Sequence, residues 1–325
     1  MDIDVFPPTE LPTVMRVLRT ALRTEGMLDR RERLFLDTYA RITGAARPHA
    51  DPLPLQPDTV SIDGAHPRKR LVQLAAMAVL FSRPVRSDSL AFLQALSRAL
   101  ATHDPVIDVI EALRRGRHRR VRMLAMRRGL RSLFKEAYHA EGWAGVLRFA
   151  GAMFLKLSVN RDQTWRYKRL GLLPEGTLGR AYWAHMTTVG FPFPGEPAGI
   201  PAPVSYHDVA HVLAEHPATG EGEIQQGSFQ GGNRRDDGFF FVQFVILQFH
   251  HGVKVTPNSP PELDNFDPEK VLWAIHRGAQ CNVDMTHQWD FWPLMALPLA
   301  EARTRVGLLA RLPETPGVAV LRRAA

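Results

Sequence analysis

Apolar positions recur at helical spacing along most of the chain. Val14, Val17, Leu18, Ala21 and Leu22 make one stripe, and Leu34, Phe35, Tyr39 and Ile42 make another. The segment Pro12–Gly44 therefore predicts two helices around a short acidic turn. The pattern then returns. Ala21, Leu22, Leu28, Phe35 and Leu36 correspond to Ala78, Val79, Val85, Phe92 and Leu93 at a constant offset of 57, an internal repeat of a helical hairpin. The Pro- and Asp-rich stretch Ala45–Pro67 reads as a loop. Asp104–Leu157 is helical in pattern again and ends in the apolar run Phe149–Leu157, so it reads as a connector packing on both halves. Tyr167–Gly179, with Pro174 and Gly176, predicts a loop, and Phe191–Pro203, with five prolines, an extended surface segment. The polar, glycine-rich Gln225–Gly238 reads as a long loop or a lid. The Phe-rich run Phe239–His251 reads as a buried helix or a lipid tunnel, two readings that do not exclude each other, with His250 and His251 capping its end as cations or serving as spare metal ligands. Strand-like alternation is scarce. The expected fold is all-α, with helical domains at 1–103 and 166–325 joined by a helical connector at 104–165.

Composition narrows the setting. A single cysteine, Cys281, allows neither an internal disulfide nor a thiolate metal cluster, which points to a reducing compartment. The acidic start, Met1-Asp2-Ile3-Asp4, resembles neither a signal peptide nor a transit peptide. The longest apolar stretch, Gly238–Phe249, falls short of the ~20 residues that span a bilayer. A cytoplasmic protein is expected, one able to touch a membrane from one side. The formal charge of +8 is unevenly spread. Arg114, Arg115, Arg117, Arg119, Arg120, Arg122, Arg127, Arg128 and Arg131 fall in one acid-free stretch. Such a stretch either attracts phosphate or an anionic lipid surface, giving peripheral membrane contact, or is a solvated helix face. No nucleic-acid module accompanies it, so nucleic acid is not an expected partner. A homodimer is compatible with the sequence.

The candidate chemistry lies in the second half. His207 and His211 stand four residues apart, which on a helix places both imidazoles on one face within reach of one ion. Asp208 can add an oxygen ligand or a supporting contact, and Ser205 is placed to cap the helix. Glu223 follows after eleven residues that include Pro217 and Gly220, so the chain breaks and a turn can return Glu223 to the same ion. Two imidazoles and one or two carboxylates suit a divalent metal, Zn²⁺ or Fe²⁺, with room for a further oxygen. The string differs from H-E-x-x-H, where the residue beside the first histidine is a base. His185, His276 and His287 have no partner at ligand spacing and read as structural. In the first half, Asp29 and Glu32 read either as an acidic metal-binding turn or as an N-cap and the third helical position of a capping box.

The string H-D-x-x-H, eleven residues, then Glu resembles the signature of the coenzyme Q (ubiquinone) biosynthesis protein 4 family. Leu178–Met186, Trp273–Gly278 and Leu299–Leu308 are similar to that family's flanking segments, so the resemblance covers about Arg166–Leu309. It implies a helical, lipid-accommodating domain in which His207, Asp208, His211 and Glu223 hold the metal. The implied activity is oxidative removal of the ring carboxyl of a prenylated hydroxybenzoate or related aromatic acid. A prenylated quinone precursor or other lipid would be the ligand. The alternative role it implies is a non-catalytic, prenyl-lipid-binding scaffold that organises biosynthetic enzymes at the membrane. The hairpins over Leu11–His103 resemble the tellurite-resistance TerB fold, with Thr24–Glu32 similar to that family's acidic turn.

Overall fold

The computed structural model describes residues 1–46, 52–127, 142–143, 151, 160–256, 259–287 and 289–311. Arg128, Arg131 and, apart from Gly151, the apolar run Phe149–Leu157 lie outside the described residues. The fold is all-α: among the described residues there is no β-strand, only isolated bridges at Thr177–Pro298 and His251–Leu263.

The two predicted hairpins are present. Helix α1 (Leu11–Leu22) turns into α2 (Arg30–Thr43), and α3 (Ala65–Phe81) turns into α4 (Ser87–Ala99). The second helices begin at Arg30 and Ser87, 57 residues apart, the same offset as the sequence repeat. Pro67 lies in the first turn of α3, where its missing N–H costs nothing, so the loop is shorter than expected. The acidic turn is a capping box: the Asp29 side chain accepts from the Glu32 N–H at 2.9 Å, and Glu32 Oε2 accepts from the Asp29 N–H at 2.8 Å. Glu32 also accepts from Arg23 Nε at 2.8 Å and from Arg86 Nη1 at 2.7 Å. Arg86 is the repeat equivalent of Asp29, so the second copy carries a cation where the first carries an acid, and it reaches across to the first copy's carboxylate. Glu32 is 2 % exposed and fully committed, which accounts for the turn without a metal. Its removal leaves two guanidiniums short of a partner. Glu32→Ala is expected to lower stability by about 3 kcal/mol, the low end for a broken buried pair because both arginines are part-exposed. Urea unfolding checks this, and a loss under about 1 kcal/mol would mean an ordinary surface pair.

Helix α5 (Val106–Arg114) leads to α6, whose described part is 118–127. Then come α7 (Arg161–Lys168), α8 (Leu178–Val189), α9 (Tyr206–Ala214) and α10 (Gly220–Asn233). The chain closes with α11 (Phe239–Phe249), α12 (Pro268–Gln280) and α13 (Leu299–Arg305). Tyr167, expected in a loop, is the buried residue of α7. The largest corrected expectation concerns 225–238. Most of it is helical, and every α10 residue except Glu221 and Glu223 is buried. Its glycines are contact points. A Cβ on Gly227 would fall 2.2 Å from Val245 of α11, and one on Gly232 would fall 1.9 Å from the Ile275 carbonyl oxygen of α12. Burial between two helices outweighs the roughly 1 kcal/mol per residue by which glycine disfavours a helix.

Helix α11 is largely buried, as one reading expects. Phe239, Val242, Val245, Ile246 and Phe249 join the largest buried cluster, which also takes in α1–α4 and residues of α12. His250 and His251 do not cap α11 as cations. Burial pushes them down to about 3 and about 4, so both are neutral. His250 Nε2 donates to the Phe81 carbonyl at 3.0 Å and His251 Nε2 to the Leu80 carbonyl at 2.7 Å, while His250 Nδ1 accepts from the Phe266 N–H. They cap α3 instead, joining the two halves.

Candidate metal centre

Three of the four expected ligands converge. His207 and His211, one turn apart on α9, bring their Nε2 atoms to 3.2 Å of each other. Glu223, in the first turn of α10, places Oε2 3.5 Å from His207 Nε2 and Oε1 3.5 Å from His211 Nε2. Two donors ~2.1 Å from one ion at a tetrahedral angle stand ~3.4 Å apart, so the observed separations fit one small divalent cation. Among the described residues no other His, Cys, Asp and Glu set gathers this way.

The turn that returns Glu223 is built for the purpose. Helix α9 ends at Glu215 in the left-handed region (φ 61°), and α10 restarts with Thr219 as N-cap, accepting from the Gly222 N–H at 3.2 Å. A Cβ on Gly222 would lie 1.7 Å from the Pro217 carbonyl oxygen, so only glycine closes the turn this tightly. Ser205 stands at the start of α9 but does not cap it. Its hydroxyl donates to the Ala202 carbonyl and meets the Tyr167 hydroxyl at 2.8 Å. The other end of α9 is capped by two arginines from the flanking segments: Arg277 donates to the Ala214 carbonyl and Arg303 to the Leu213 carbonyl, both at 2.9 Å.

Supporting hydrogen bonds fix both imidazoles. His211 Nδ1 donates to the His216 carbonyl at 2.9 Å, and His207 Nδ1 contacts Gln230 Oε1 at 3.1 Å. Each bond leaves the Nε2 lone pair for an ion. Burial works against charge on His207, but the hydrogen bond and charge of Glu223 overcome it and raise the ring to about 9. Burial likewise works to raise the Glu223 carboxyl, but its bonds to His207 and His211 hold it well below the usual carboxylate range. Without an ion, the site is an imidazolium–carboxylate pair.

Asp208 is not brought to the same point. Consecutive helical residues diverge by about 100°, and its carboxylate lies outside the gathered donors. It is buried, which raises its carboxyl, and its charge acts on both histidines from the side. Three residues enter the site that spacing did not predict. His185 of α8 stacks on His211 with centroids 5.7 Å apart, and its buried Nε2 has no hydrogen-bond partner. Burial, then His211, pushes His185 down to about 4. His216 supplies the carbonyl, and its own ring contacts Gln226 Oε1 at 2.9 Å. Gln230 completes the support. His276 is part-buried against Trp273, away from this group.

The site faces outward on one side, with the His207 and Glu223 side chains 33 % and 19 % exposed and His211 sealed at 1 %. No known protein family matches this chain, and no curated protein does.

Proposed function

We propose that His207, His211 and Glu223 hold one divalent cation, zinc or iron, and that the chain is an enzyme acting on a prenylated hydroxybenzoate or related aromatic acid. The convergence of the three donors, with both imidazoles oriented from behind, is the observation that supports this. A structural site is closed by four protein ligands, whereas this one has three and a partly exposed side. Two histidines and one carboxylate also form the set used for iron(II) oxygen chemistry. The spacing resemblance suggests the substrate class, a prenylated hydroxybenzoate or related aromatic acid of ubiquinone-like biosynthesis, whose ring carboxyl would leave as carbon dioxide with a ring hydroxyl formed in its place, dioxygen serving as the oxidant. Bound there, the cation would act as a Lewis acid toward a carboxylate or phenolate oxygen. The chain's own part is to aim the imidazoles, through Gln230 and the His216 carbonyl, and to leave the entry beside His207 open. Among the described residues no helix is long and apolar enough to cross a membrane, so a prenyl substrate would be met at a surface.

Elemental analysis of native protein purified without chelator, with mass spectrometry of co-purified lipid, tests this reading. One zinc or iron per chain supports it, and metal-free protein overturns it. A prenylated aromatic acid in the lipid fraction supports the substrate class. Retained metal and bound prenyl lipid without turnover of such acids would favour the scaffold role.

The proton on His207 gives a further expectation. An incoming ion must displace it, so metal affinity rises with pH up to about 9, where His207 is neutral without help, and levels off above. One displaced proton means about tenfold per pH unit below that point. Chelator-competition titrations between pH 6 and pH 10, on the order of one-unit steps, read the slope; a flat profile would contradict the imidazolium–carboxylate pair.

A further inference from the structure

A cavity of about 570 Å³ shares no residue with the metal centre. It opens where the start of α2, the α3–α4 turn and the end of α5 meet His251. Its wall carries four arginines, Arg31, Arg83, Arg86 and Arg114, and three acids, Asp29, Glu32 and Asp264.

The acids are already committed. Glu32 is bound by Arg23 and Arg86. Asp264 accepts from Arg31 at 3.1 and 3.3 Å. Asp29 caps α2 and lies 3.6 Å from Arg23. His251 brings no charge, since burial pushes its ring down to about 4 while its Nε2–H donates to the Leu80 carbonyl. Arg83 and Arg114 are left. Both are exposed, and neither has a hydrogen-bond or ion-pair partner among the described residues. The cavity therefore carries two guanidiniums without a counter-charge, the complement of a doubly charged phosphate. The remaining wall holds Ser82 and the apolar Phe81, Pro84, Val85 and Leu113. The exposed arginines 117, 119, 120, 122 and 127 follow Arg114 directly in an acid-free stretch and extend the positive field that draws anions in.

We propose that this cavity binds a phosphate-bearing organic anion, its phosphate met by Arg83 and Arg114 and its organic part by Phe81, Val85 and Leu113. The arginine-rich stretch then acts as an approach to a defined site rather than as an unspecific basic surface. Titration calorimetry on the full chain tests this with three probes: inorganic pyrophosphate, dodecyl phosphate, and phosphatidylglycerol vesicles set against phosphatidylcholine vesicles. Dodecyl phosphate is expected to bind more tightly than pyrophosphate, because only it uses the apolar wall. The Arg83→Gln/Arg114→Gln double variant is expected to lose at least ~10-fold in affinity for both, and each single variant part of that. Arg119→Gln/Arg122→Gln, in the same arginine-rich stretch but outside the cavity lining, is expected to stay within ~2-fold. All four arginines are exposed, so neither double variant should disturb folding, and thermal unfolding checks it. Competition between vesicles and dodecyl phosphate would make the source a lipid headgroup; no competition would make it a soluble ester. Equal losses in both double variants, unchanged affinity in the first, or no binding of any phosphate probe would overturn the proposal.

Discussion

His211→Ala is expected to abolish stoichiometric metal binding, with affinity falling by more than ~100-fold, the scale beyond which supporting residues act. His211 is sealed at 1 % exposure and is the ligand anchored to the backbone, through the His216 carbonyl. No nearby donor replaces it in position, since the His185 ring lies 5.7 Å away centroid to centroid and outside the gathered atoms. A truncation in a buried place also risks the fold, so Glu223→Gln serves beside it. That change keeps the shape, removes the charge, and strikes a residue that is 19 % exposed. It should cost a similar factor in metal affinity and, because it removes the carboxylate of the metal-free ion pair, also lower the thermal unfolding temperature of the metal-free protein, so circular dichroism at the titration temperature checks that the variant stays folded. Gln230→Ala should cost ~10–100-fold, as expected for a residue that orients a ligand. Asp208→Asn is the informative contrast. The family resemblance makes Asp208 a ligand, and the structure sets its carboxylate aside from the other three. A loss under ~10-fold, smaller than that for Gln230, is therefore expected. A loss as large as that for Glu223 would mean that the ion draws Asp208 in. Chelator-competition titration with elemental analysis reads all four variants.

How far this site was legible in sequence depends on which physical link carries each residue. His207 and His211 were legible because one helical turn joins them. Glu223 needed the break at Pro217–Gly220, visible as helix-breaking residues, and a spacing resemblance to say where the chain returned. Gln226 and Gln230 were legible in principle. They follow Glu223 by three and seven residues, which is one face of a helix. They were hidden because Gly227, Gly231 and Gly232 made the stretch read as a loop. Local propensity pointed one way and burial between α11 and α12 the other, and burial prevailed. His185 was not legible at all: it reaches His211 only through the packing of α8 on α9. The charge state of His250 and His251 failed for the same kind of reason. A histidine ending an exposed helix is a cation near its carbonyls, but one buried against another helix is a neutral donor. In the first half, the periodicity and the offset of 57 gave both hairpins, while the pairing of Arg86 with Glu32 came from tertiary structure alone.

The same close packing sets the other large effect. Gly232 of α10 and Gly278 of α12 face each other's backbones. A Cβ on Gly278 would lie 2.0 Å from the Phe229 carbonyl oxygen, and one on Gly232 would lie 1.9 Å from that of Ile275. In an open helix, Gly→Ala would stabilise by about 1 kcal/mol through propensity. Here each new methyl meets backbone, which yields only if the two helices move apart. That movement strips contacts along the whole interface and lengthens the bonds that Asn233 makes to the Gly278 and Val283 carbonyls, now 3.3 and 2.7 Å. Overpacking costs of about 1–3 kcal/mol apply where side chains can adjust. Against rigid backbone the net loss for Gly278→Ala is expected at or above about 3 kcal/mol, with Gly232→Ala similar. Gly151→Ala serves as the control, where Gly26 with its positive φ would not: with nothing among the described residues within 4 Å of its Cβ position, it should not lose stability. Urea unfolding separates the three. The effect should also reach the metal centre, because α10 carries Glu223 at one end and Gln230 along its length. If α10 shifts as a body, both Ala variants lose metal affinity in step with stability. Lost stability with unchanged metal affinity would mean that the first turn of α10 is held by Thr219 and the Pro217–Gly222 turn independently of the rest of the helix.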